Sequence, residues 1–129
     1  MGFSSVDCKY CNPDYQSSPR VVLKNKYWFG NFDNHPVNPG HIKLVCKKHR
    51  NAFDELSDEE VIAFLIILRE AKALVKKEHF PDGWNIGINE GEAAGQTVFH
   101  LHIHLIPRYR GDIEDPRGGV RTILPEETT

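Results

Sequence analysis

The feature that most constrains this chain is a run of alternating histidines, FHLHIHLIP at residues 99–107. Because a β-strand turns successive side chains to opposite faces, the run predicts a strand with His100, His102 and His104 on one face and apolar side chains on the other. Burying a row of imidazoles for packing alone would leave their ring nitrogens without assured partners. An imidazole near neutral pH can act as a base, nucleophile, hydrogen-bond donor or metal ligand, so the pattern indicates a chemical function.

Length and charge are typical of one small domain. The chain has 129 residues, 16 basic and 18 acidic side chains and a formal net charge of -2, which indicates no general attraction to nucleic acid or to an anionic membrane. The longest apolar run, residues 61–68, is far shorter than the roughly 20 residues that cross a bilayer, and residues 1–9 lack the apolar stretch of a signal peptide. We therefore expect a single domain over residues 1–129 that is soluble and cytoplasmic, with no nucleic-acid or membrane partner.

Short apolar segments around one long helical segment predict a mixed fold. Ser57-Asp58-Glu59-Glu60 is a capping box, which predicts a helix from Ser57 to about Glu78. Apolar segments bounded by turn residues predict strands at residues 20–23, 27–31, 41–47, 84–89 and 97–107. This order predicts an α+β domain with a mainly antiparallel sheet of about five strands, one long helix and short helical turns.

The predicted helix carries more apolar side chains than one helix face can hold. A set at three- and four-residue spacing is sufficient for packing on the sheet; it comprises Val61, Ile62, Leu65, Leu68 and Ala71. Phe64, Ile66 and Ile67 then form a second apolar surface, which is too large to leave exposed on a small monomer. We therefore expect a two-fold homodimer that covers this second surface.

Cysteine spacing indicates a metal site. The chain has three cysteines, and two of them lie close together as Cys8-Lys9-Tyr10-Cys11, which favours a metal site over a disulfide framework. A tetrahedral zinc site needs two further ligands, for which His49 and His100 are the candidates. The alternative is a pair of reduced, metal-free cysteines. Cys46, within a predicted strand, is expected to be a small core residue.

Basic residues follow the predicted strand at residues 41–47 and extend beyond it. Lys43, Lys47, Lys48 and Arg50 lie close enough in sequence to suggest attraction of an anion. A run of like charges is more often a solvated face, however, and we expect these four side chains to be exposed to water.

Several of these segments together resemble the histidine triad (HIT) family. GQTVFHLHIHLIPR, residues 95–108, is similar to the family signature, in which three histidines alternate with apolar residues. HPVNPGHIKLVCKKH (residues 35–49), the capping box with its helix, and NEGEAAGQT (residues 89–97) follow the family's order and spacing. The resemblance covers residues 8–112. Within it, PRYRGD at residues 107–112 is more similar to the fragile-histidine-triad and dinucleoside-polyphosphate-hydrolase branch than to the phosphoramidase branch.

The resemblance implies a nucleotide hydrolase or nucleotidyltransferase with a covalent intermediate. His102 would be the nucleophile that attacks the α-phosphorus and forms a nucleotidyl-histidine, which water then cleaves. His104 would contact the phosphate or the bridging oxygen, and His41 would approach the triad from a neighbouring strand. Gln96 would join these catalytic residues by stabilising the charge of the transition state.

The resemblance also implies residues that bind the nucleotide. Asp33 falls where family members hold the ribose hydroxyls, while Asn89, Gln96 and Thr97 match polar positions beside the phosphate. His102 and His104 would contact the phosphate as well. Asn89 and Gln96 could equally be amides that cap a loop.

Three further consequences concern the metal, the assembly and the chain ends. The resemblance implies one structural zinc per chain, bound by Cys8, Cys11, His49 and His100, which ties an N-terminal segment (residues 1–19) to the strand that carries the nucleophile. It also implies a homodimer whose two sheets join into one continuous sheet. The tail, residues 111–129, either folds over an active site or stays disordered.

The reaction expected is hydrolysis of a dinucleoside polyphosphate, with a purine nucleotide as the expected substrate. Three alternatives stay open from the sequence. The substrate could be a phosphoramidate or an adenylylated amine; the enzyme could transfer the nucleotide to phosphate; or the chain could be a nucleotide-binding or scaffold protein with incidental hydrolysis.

Overall fold

The structure is a computed structural model that describes residues 8–124. Its helices and strands, in chain order, are α1 (Pro13–Gln16), β1 (Val21–Lys24), β2 (Trp28–Phe32), β3 (Ile42–Cys46), α2 (Asp58–His79), β4 (Gly83–Ile88) and β5 (His102–Arg108). Short 3-10 turns lie at Lys9–Cys11, Phe53–Glu55, Glu92–Ala94 and Gly119–Arg121. The predicted α+β class, the five-stranded sheet and the single long helix are confirmed.

The five strands form one antiparallel sheet in the order β1-β2-β3-β5-β4. Its register aligns residues of three neighbouring strands in rows. One row contains Phe29, Val45 and His102, and the next contains Asn31, Lys43 and His104. Since the two rows are two residues apart along each strand, their side chains point to the same side of the sheet. We call this side the histidine face.

Helix α2 covers the opposite side of the sheet, where the larger apolar core lies. Alternate residues of β3, namely Ile42, Leu44 and Cys46, are fully buried there together with Leu101, Ile103 and Leu105. The predicted division of residues 99–107 into an imidazole face and a core face is confirmed for these positions. The alternation therefore identifies which side of β5 carries chemistry.

The helix meets the sheet through a different face from the one predicted. Glu60, Phe64, Ile67, Ala71 and Val75 are its buried residues, whereas Ile62 and Leu65, which were expected to pack on the sheet, are 59% and 48% exposed. The predicted second surface is also wrong in part, because only Ile66 of its three residues is exposed.

Buried contacts of Glu60 explain this rotation of the helix. Its carboxylate accepts hydrogen bonds from the backbone amide of Ser57 (2.8 Å) and from the Arg50 guanidinium (3.3 Å), and its backbone carbonyl accepts one from Nε1 of Trp28 (2.8 Å). These bonds hold Glu60 against the sheet, and the residues one, two and three turns later follow it onto the same face.

Strand β5 begins five residues later than predicted. Residues 97–101 are irregular, because the backbone of Leu101 pairs with two different segments: its amide donates to the Arg50 carbonyl (2.6 Å) and its carbonyl accepts from the Cys46 amide (3.3 Å). Each of the other strand ends differs from the prediction by one residue. In residues 8–124, no helix combines the length and apolar character needed to cross a membrane.

Candidate active site and metal-binding cluster

The N-terminal segment, from Cys8 to Ser18, covers part of the histidine face. Tyr10 and Cys8 pack there against Phe29 and Val45 in a second, smaller apolar cluster. The ring of Tyr10 meets the ring of His102 edge to face, with centroids 5.4 Å apart. Beyond Tyr10, the rings of His41, His102 and His104 lie on the same face and contact one another.

A sharp turn brings His41 onto this face just before β3. The turn depends on Gly40, whose backbone has a φ of 90° and whose missing Cβ would lie 2.9 Å from a methyl group of Val75. Glycine therefore satisfies both the left-handed backbone and the close approach of α2. The sequence Pro39-Gly40-His41 thus fixes His41 in place.

Hydrogen bonds from the backbone determine which nitrogens of His41 and His104 carry protons. The amide of Val37 donates to Nδ1 of His41 (3.1 Å), so the proton of the neutral His41 ring is on Nε2. That nitrogen lies 2.9 Å from Nδ1 of His104 and donates to it. The proton of the neutral His104 ring is consequently on Nε2, where it can be donated to a ligand.

His102 is held in the opposite tautomer. Its Nδ1 lies 2.7 Å from the carbonyl oxygen of His100, and since a carbonyl can only accept, Nδ1 carries the proton. Burial lowers the pKa of His102 to about 4, although the hydrogen bond to the His100 carbonyl acts in the other direction. At neutral pH the ring is therefore uncharged, and its Nε2 has a free lone pair, which is the form of imidazole that acts as a nucleophile.

Asp33 lies beside the two linked histidines. One carboxylate oxygen is 3.7 Å from Nε2 of His41 and 3.8 Å from Nδ1 of His104. Burial raises the pKa of the Asp33 carboxyl. The hydrogen bond from the His35 backbone amide and the nearby His41 and Lys43 together lower it by more, so the pKa is below its usual value. Asp33 is thus an anion at neutral pH at the edge of the histidine row.

The other predicted nucleotide-binding residues occupy the loop after β4. Both amide atoms of Gln96 bond within this loop: the oxygen accepts from the Gly91 amide (2.8 Å) and the nitrogen donates to the Val98 carbonyl (3.2 Å). Thr97 and Asn89 are exposed. Continuing the β4–β5 register by one residue beyond Ile88 and Ile103 sets Asn89 alongside His102. Roles for these three residues toward a substrate stay predictions.

A cavity of about 390 Å³ opens between the N-terminal segment and strands β1 and β2. Its walls include Tyr15, Val21, Asn31 and Asn34. The last two residues are close to Asp33 in sequence. Asn31 is 4% exposed, and its carboxamide oxygen has no hydrogen-bond partner within the part of the chain that the structure describes. An amide in the otherwise apolar strand at residues 27–31 was the available sequence signal for this cavity.

The predicted metal ligands converge at the other end of the histidine face. Donor atoms of Cys8, Cys11, His49 and His100 all lie within 4.8 Å of one another. Nδ1 of His100 is 3.2 Å from the Cys8 sulfur and 3.4 Å from the Cys11 sulfur, and Nδ1 of His49 is 3.3 Å from the Cys11 sulfur. Ligand atoms arranged as a tetrahedron around one zinc ion, with zinc–sulfur and zinc–nitrogen bonds of about 2.0 to 2.3 Å, would be separated from one another by similar distances.

The tautomer of His100 also suits a metal ligand. Its Nε2 donates to the carbonyl oxygen of Cys46, so Nδ1, which faces the two sulfurs, keeps a free lone pair. A second hydrogen bond of this kind is the usual way in which a metal-binding histidine is oriented. The two thiols and two imidazoles therefore fit a closed zinc site.

Besides Asn31, the sequence analysis missed Lys43 and Tyr10 of the histidine face. Lys43 was expected to be solvated but is 6% exposed, and its ammonium donates to the hydroxyl of Tyr10 (2.9 Å). Its position two residues after His41 in a strand is a signal that could have located it on the same face. Tyr10 lies in the Cys8–Cys11 turn, which gives no sequence signal for contact with β3.

Comparison with known proteins agrees with this geometry. The model of the HIT domain matches residues 15–111, and the chain belongs to the HIT domain family. An uncharacterised HIT-like protein of Methanocaldococcus jannaschii is 40% identical over 109 residues, which cover 84% of this chain and 82% of that protein.

Two relatives carry names that specify nucleotide substrates. The AP-4-A phosphorylase of Mycobacterium tuberculosis is 32% identical over 93 residues, 71% of this chain and 48% of that protein. The asymmetrical bis(5'-nucleosyl)-tetraphosphatase of Schizosaccharomyces pombe is 31% identical over 80 residues, 62% of this chain and 44% of that protein. This chain thus spans about half the length of each. The predicted similarity to the dinucleoside-polyphosphate branch of the family is confirmed.

One similar structure is that of a Zn-bound histidine triad family protein from Mycobacterium smegmatis. It has a TM-score of 0.72 and 30% identity, and the alignment covers 84% of this chain and 80% of that protein. The zinc is a property of that protein.

Proposed function

We propose that this protein is an enzyme that cleaves or transfers a nucleoside monophosphate group through a covalent intermediate on His102. The observation that carries the proposal is the pairing of tautomers on the histidine face. Nε2 of His102 has a free lone pair because the ring proton is on Nδ1, which donates a hydrogen bond to the His100 carbonyl. Nε2 of His104 is an N–H donor because Nδ1 accepts from His41. The nucleophile, His102, and the donor to a phosphate oxygen, His104, therefore lie two residues apart on the same face of one strand.

The reaction proceeds in two displacements at the α-phosphorus. In the first, Nε2 of His102 forms a bond to phosphorus while the bond to the bridging oxygen breaks, and the leaving group departs with that electron pair. The N–H of His104 stabilises the negative charge on the phosphate or bridging oxygen. In the second, water or an acceptor phosphate attacks phosphorus and releases His102. Dividing the reaction in this way replaces one difficult displacement by two easier ones.

The expected substrate is a dinucleoside polyphosphate with a purine base. The names of two relatives support this class, since they specify AP-4-A and bis(5'-nucleosyl)-tetraphosphate. The cavity beside Asn31 supports it as well, because Asn31 and His104 lie two strands apart in one row, roughly 10 Å. A base in this cavity and an α-phosphate at His102 would leave the ribose near Asp33.

We further propose that Cys8, Cys11, His49 and His100 bind one zinc ion. The convergence of their donor atoms within 4.8 Å supports this assignment, and a Zn-bound relative of similar structure agrees with it. Zinc with four protein ligands is structural and would hold the N-terminal segment on the histidine face. Tyr10, within the Cys8–Cys11 turn, would then stay against His102.

We also propose a homodimer, with a contact surface that differs from the one expected. Ile62, Leu65 and Ile66 of α2 are 59%, 48% and 49% exposed, and such a group of large apolar side chains is typical of an interface. Strand β4 is an edge of the sheet and carries Ile86, which is 39% exposed. A two-fold axis would cover both features at once.

Turnover of a substrate panel tests the proposed reaction. Diadenosine tetraphosphate, adenosine phosphoramidate and an adenosine diphosphate sugar share the AMP group and differ only in their leaving groups, and each is assayed with and without added phosphate. We expect diadenosine tetraphosphate to be cleaved fastest. Preference for the phosphoramidate would favour the alternative activity, dependence on phosphate would indicate a transferase, and absence of turnover on all three would contradict an enzyme of this class.

A further inference from the structure

Lys43 is a buried cation on the histidine face. It lies at the middle of β3, and its backbone register aligns it with Asn31 on one side and His104 on the other. Only 6% of the residue is exposed. A lysine side chain is rarely buried to this extent without a paired carboxylate.

The partners of its ammonium group compensate its charge only in part. Nζ donates to the hydroxyl of Tyr10 at 2.9 Å and lies 4.8 Å from the centroid of that ring. Among residues 8–124, no carboxylate forms an ion pair with Lys43 within 4.0 Å. The Lys43 ammonium lowers the pKa of the Asp33 carboxyl, but the carboxylate of Asp33 lies beside His41 and His104 instead.

Desolvation makes such an arrangement unfavourable unless an anion completes it. Removing an ammonium from water loses hydration that one hydroxyl acceptor restores only in part. Within residues 8–124, Tyr10 supplies the one acceptor of this ammonium, which has three N–H bonds to donate. Two donors therefore remain for a ligand with negatively charged oxygens.

We propose that Lys43 is an anion-binding residue of the active site, whose ammonium donates to a phosphate oxygen of the nucleotide held over His102 and His104. This inference rests on the proposed function for the identity of the ligand, but the charge and burial of Lys43 are independent of it. The contact neutralises charge on the phosphate group that His102 attacks, and it places a cation beside the nucleophile without using a metal ion.

The electrostatic effect of Lys43 on its neighbours agrees with this location. Burial lowers the pKa of His41 and of His104, and the nearby Lys43 ammonium lowers both further. Tyr10 connects Lys43 to the nucleophile, since the same ring meets His102 edge to face at 5.4 Å. The positive potential of Lys43 therefore extends over the part of the face where a phosphate would bind.

Binding of AMP, adenosine and inorganic phosphate to wild type and Lys43→Met, measured by calorimetry, tests the proposal. The first two ligands differ only in the phosphate, so the ratio of their affinities isolates the contribution of that group. We expect wild type to bind AMP more tightly than adenosine. Lys43→Met should weaken the binding of AMP and of inorganic phosphate by roughly ten- to a hundredfold, the range for a hydrogen bond to a charged group. It should leave the affinity for adenosine unchanged.

Lys24→Met is the matched control, because Lys24 is exposed on the edge strand β1 and its loss changes the net charge equally. It should leave all three affinities unchanged. Lys43→Gln, which removes the charge but keeps a donor for the Tyr10 hydroxyl, replaces Lys43→Met if the methionine variant does not fold. In phosphate-free buffer, neither folded variant of Lys43 should melt below wild type, since each removes a buried ammonium that forms no ion pair within 4.0 Å among residues 8–124.

The proposal is overturned if a folded Lys43 variant binds phosphate and AMP each with the same affinity as wild type does. A lower melting temperature with unchanged anion affinity also overturns it, since this would identify Lys43 as a structural residue. If wild type binds phosphate through Lys43 but neither AMP nor adenosine, the anion site stands while the nucleotide function fails. The two proposals are thereby tested separately.

Discussion

Nε2 of His41 and Nδ1 of His104 lie 2.9 Å apart, and their hydrogen bond links a turn before β3 to the middle of β5. The amide of Val37 begins the chain of bonds by donating to the other nitrogen of His41. A backbone N–H in a loop therefore determines, through two imidazole rings, which nitrogen of His104 has a proton to donate. His41 is in this sense a positioning residue for His104.

Replacing His41 should consequently weaken catalysis more than binding. In His41→Ala, Nδ1 of His104 loses its donor and the ring is free to change tautomer, so we expect kcat to fall by roughly a hundredfold with KM nearly unchanged. His41→Gln retains a side-chain N–H donor and should recover part of kcat. A fall in kcat that is equal in both variants would contradict this role, and steady-state kinetics on one nucleotide substrate measures it.

His102→Ala should abolish turnover and leave AMP affinity within roughly tenfold of wild type. The reason is that a nucleophile contributes chiefly to the chemical step. Rapid quenching of wild type with substrate, followed by mass spectrometry of peptides, should find the nucleotidyl group on His102. Turnover by His102→Ala, or an adduct on another residue, would exclude the proposed mechanism.

Purified protein should contain about one zinc ion per chain. Cys8→Ser and His49→Ala should each lower both the zinc content and the melting temperature, because a structural metal contributes directly to folding free energy. Cys46→Ala is the control: this buried thiol lies outside the cluster, so its loss should reduce stability without reducing zinc content. Wild type that lacks zinc and melts at the same temperature with a chelator would leave the cluster without this explanation.

The residues whose placement follows from local periodicity were predictable from sequence. The alternation in residues 99–107 identifies the face of His102 and His104 because strand geometry alone determines it. The capping box likewise located the start of α2, where Ser57 and Glu60 bond as predicted. The cluster of Cys8, Cys11, His49 and His100 was predicted from residue type and resemblance.

Features that depend on contacts distant in sequence were not predictable in this way. The face of α2 is set by Arg50 and Trp28, which bond to Glu60, and these contacts exist only once the sheet has formed. Lys43 is buried because Tyr10, 33 residues earlier in the chain, covers it. No local pattern at either position contains this information.

The observed orientation of α2 changes the variants that test the proposed dimer. Ile62→Glu and Ile66→Glu should yield folded monomer, because these exposed side chains would bring an unpaired charge into the interface. Phe64→Glu and Ile67→Glu should unfold the chain instead, since both residues lie in the core. Sedimentation should find wild type as a dimer at micromolar concentration. Monomeric wild type at that concentration would contradict the proposal.

Glu60 should make the stability of this protein depend on pH in the acidic range. Burial raises its carboxyl pKa, but the hydrogen bonds from Ser57 and the neighbouring Arg50 guanidinium lower it by more, so the net pKa lies below the ordinary value of 4.5. A carboxyl whose pKa is lower in the folded than in the unfolded state stabilises the fold above the unfolded pKa. This contribution is lost as the pH falls from 4.5 through the folded pKa.

Chemical denaturation of wild type and Glu60→Gln at several pH values measures this contribution. Glutamine has nearly the same shape but no charge, so we expect the variant to be less stable at pH 7 by roughly 1 to 3 kcal/mol, the range for a buried hydrogen bond to a charged group. The difference between the two proteins should shrink as the pH falls below 4.5, because protonation of Glu60 removes the same charge from wild type. Arg50→Met should reduce this pH dependence in part, since Ser57 still donates to the carboxylate. A difference in stability that stays constant from pH 7 into the acidic range would show that the Glu60 charge does not stabilise the fold.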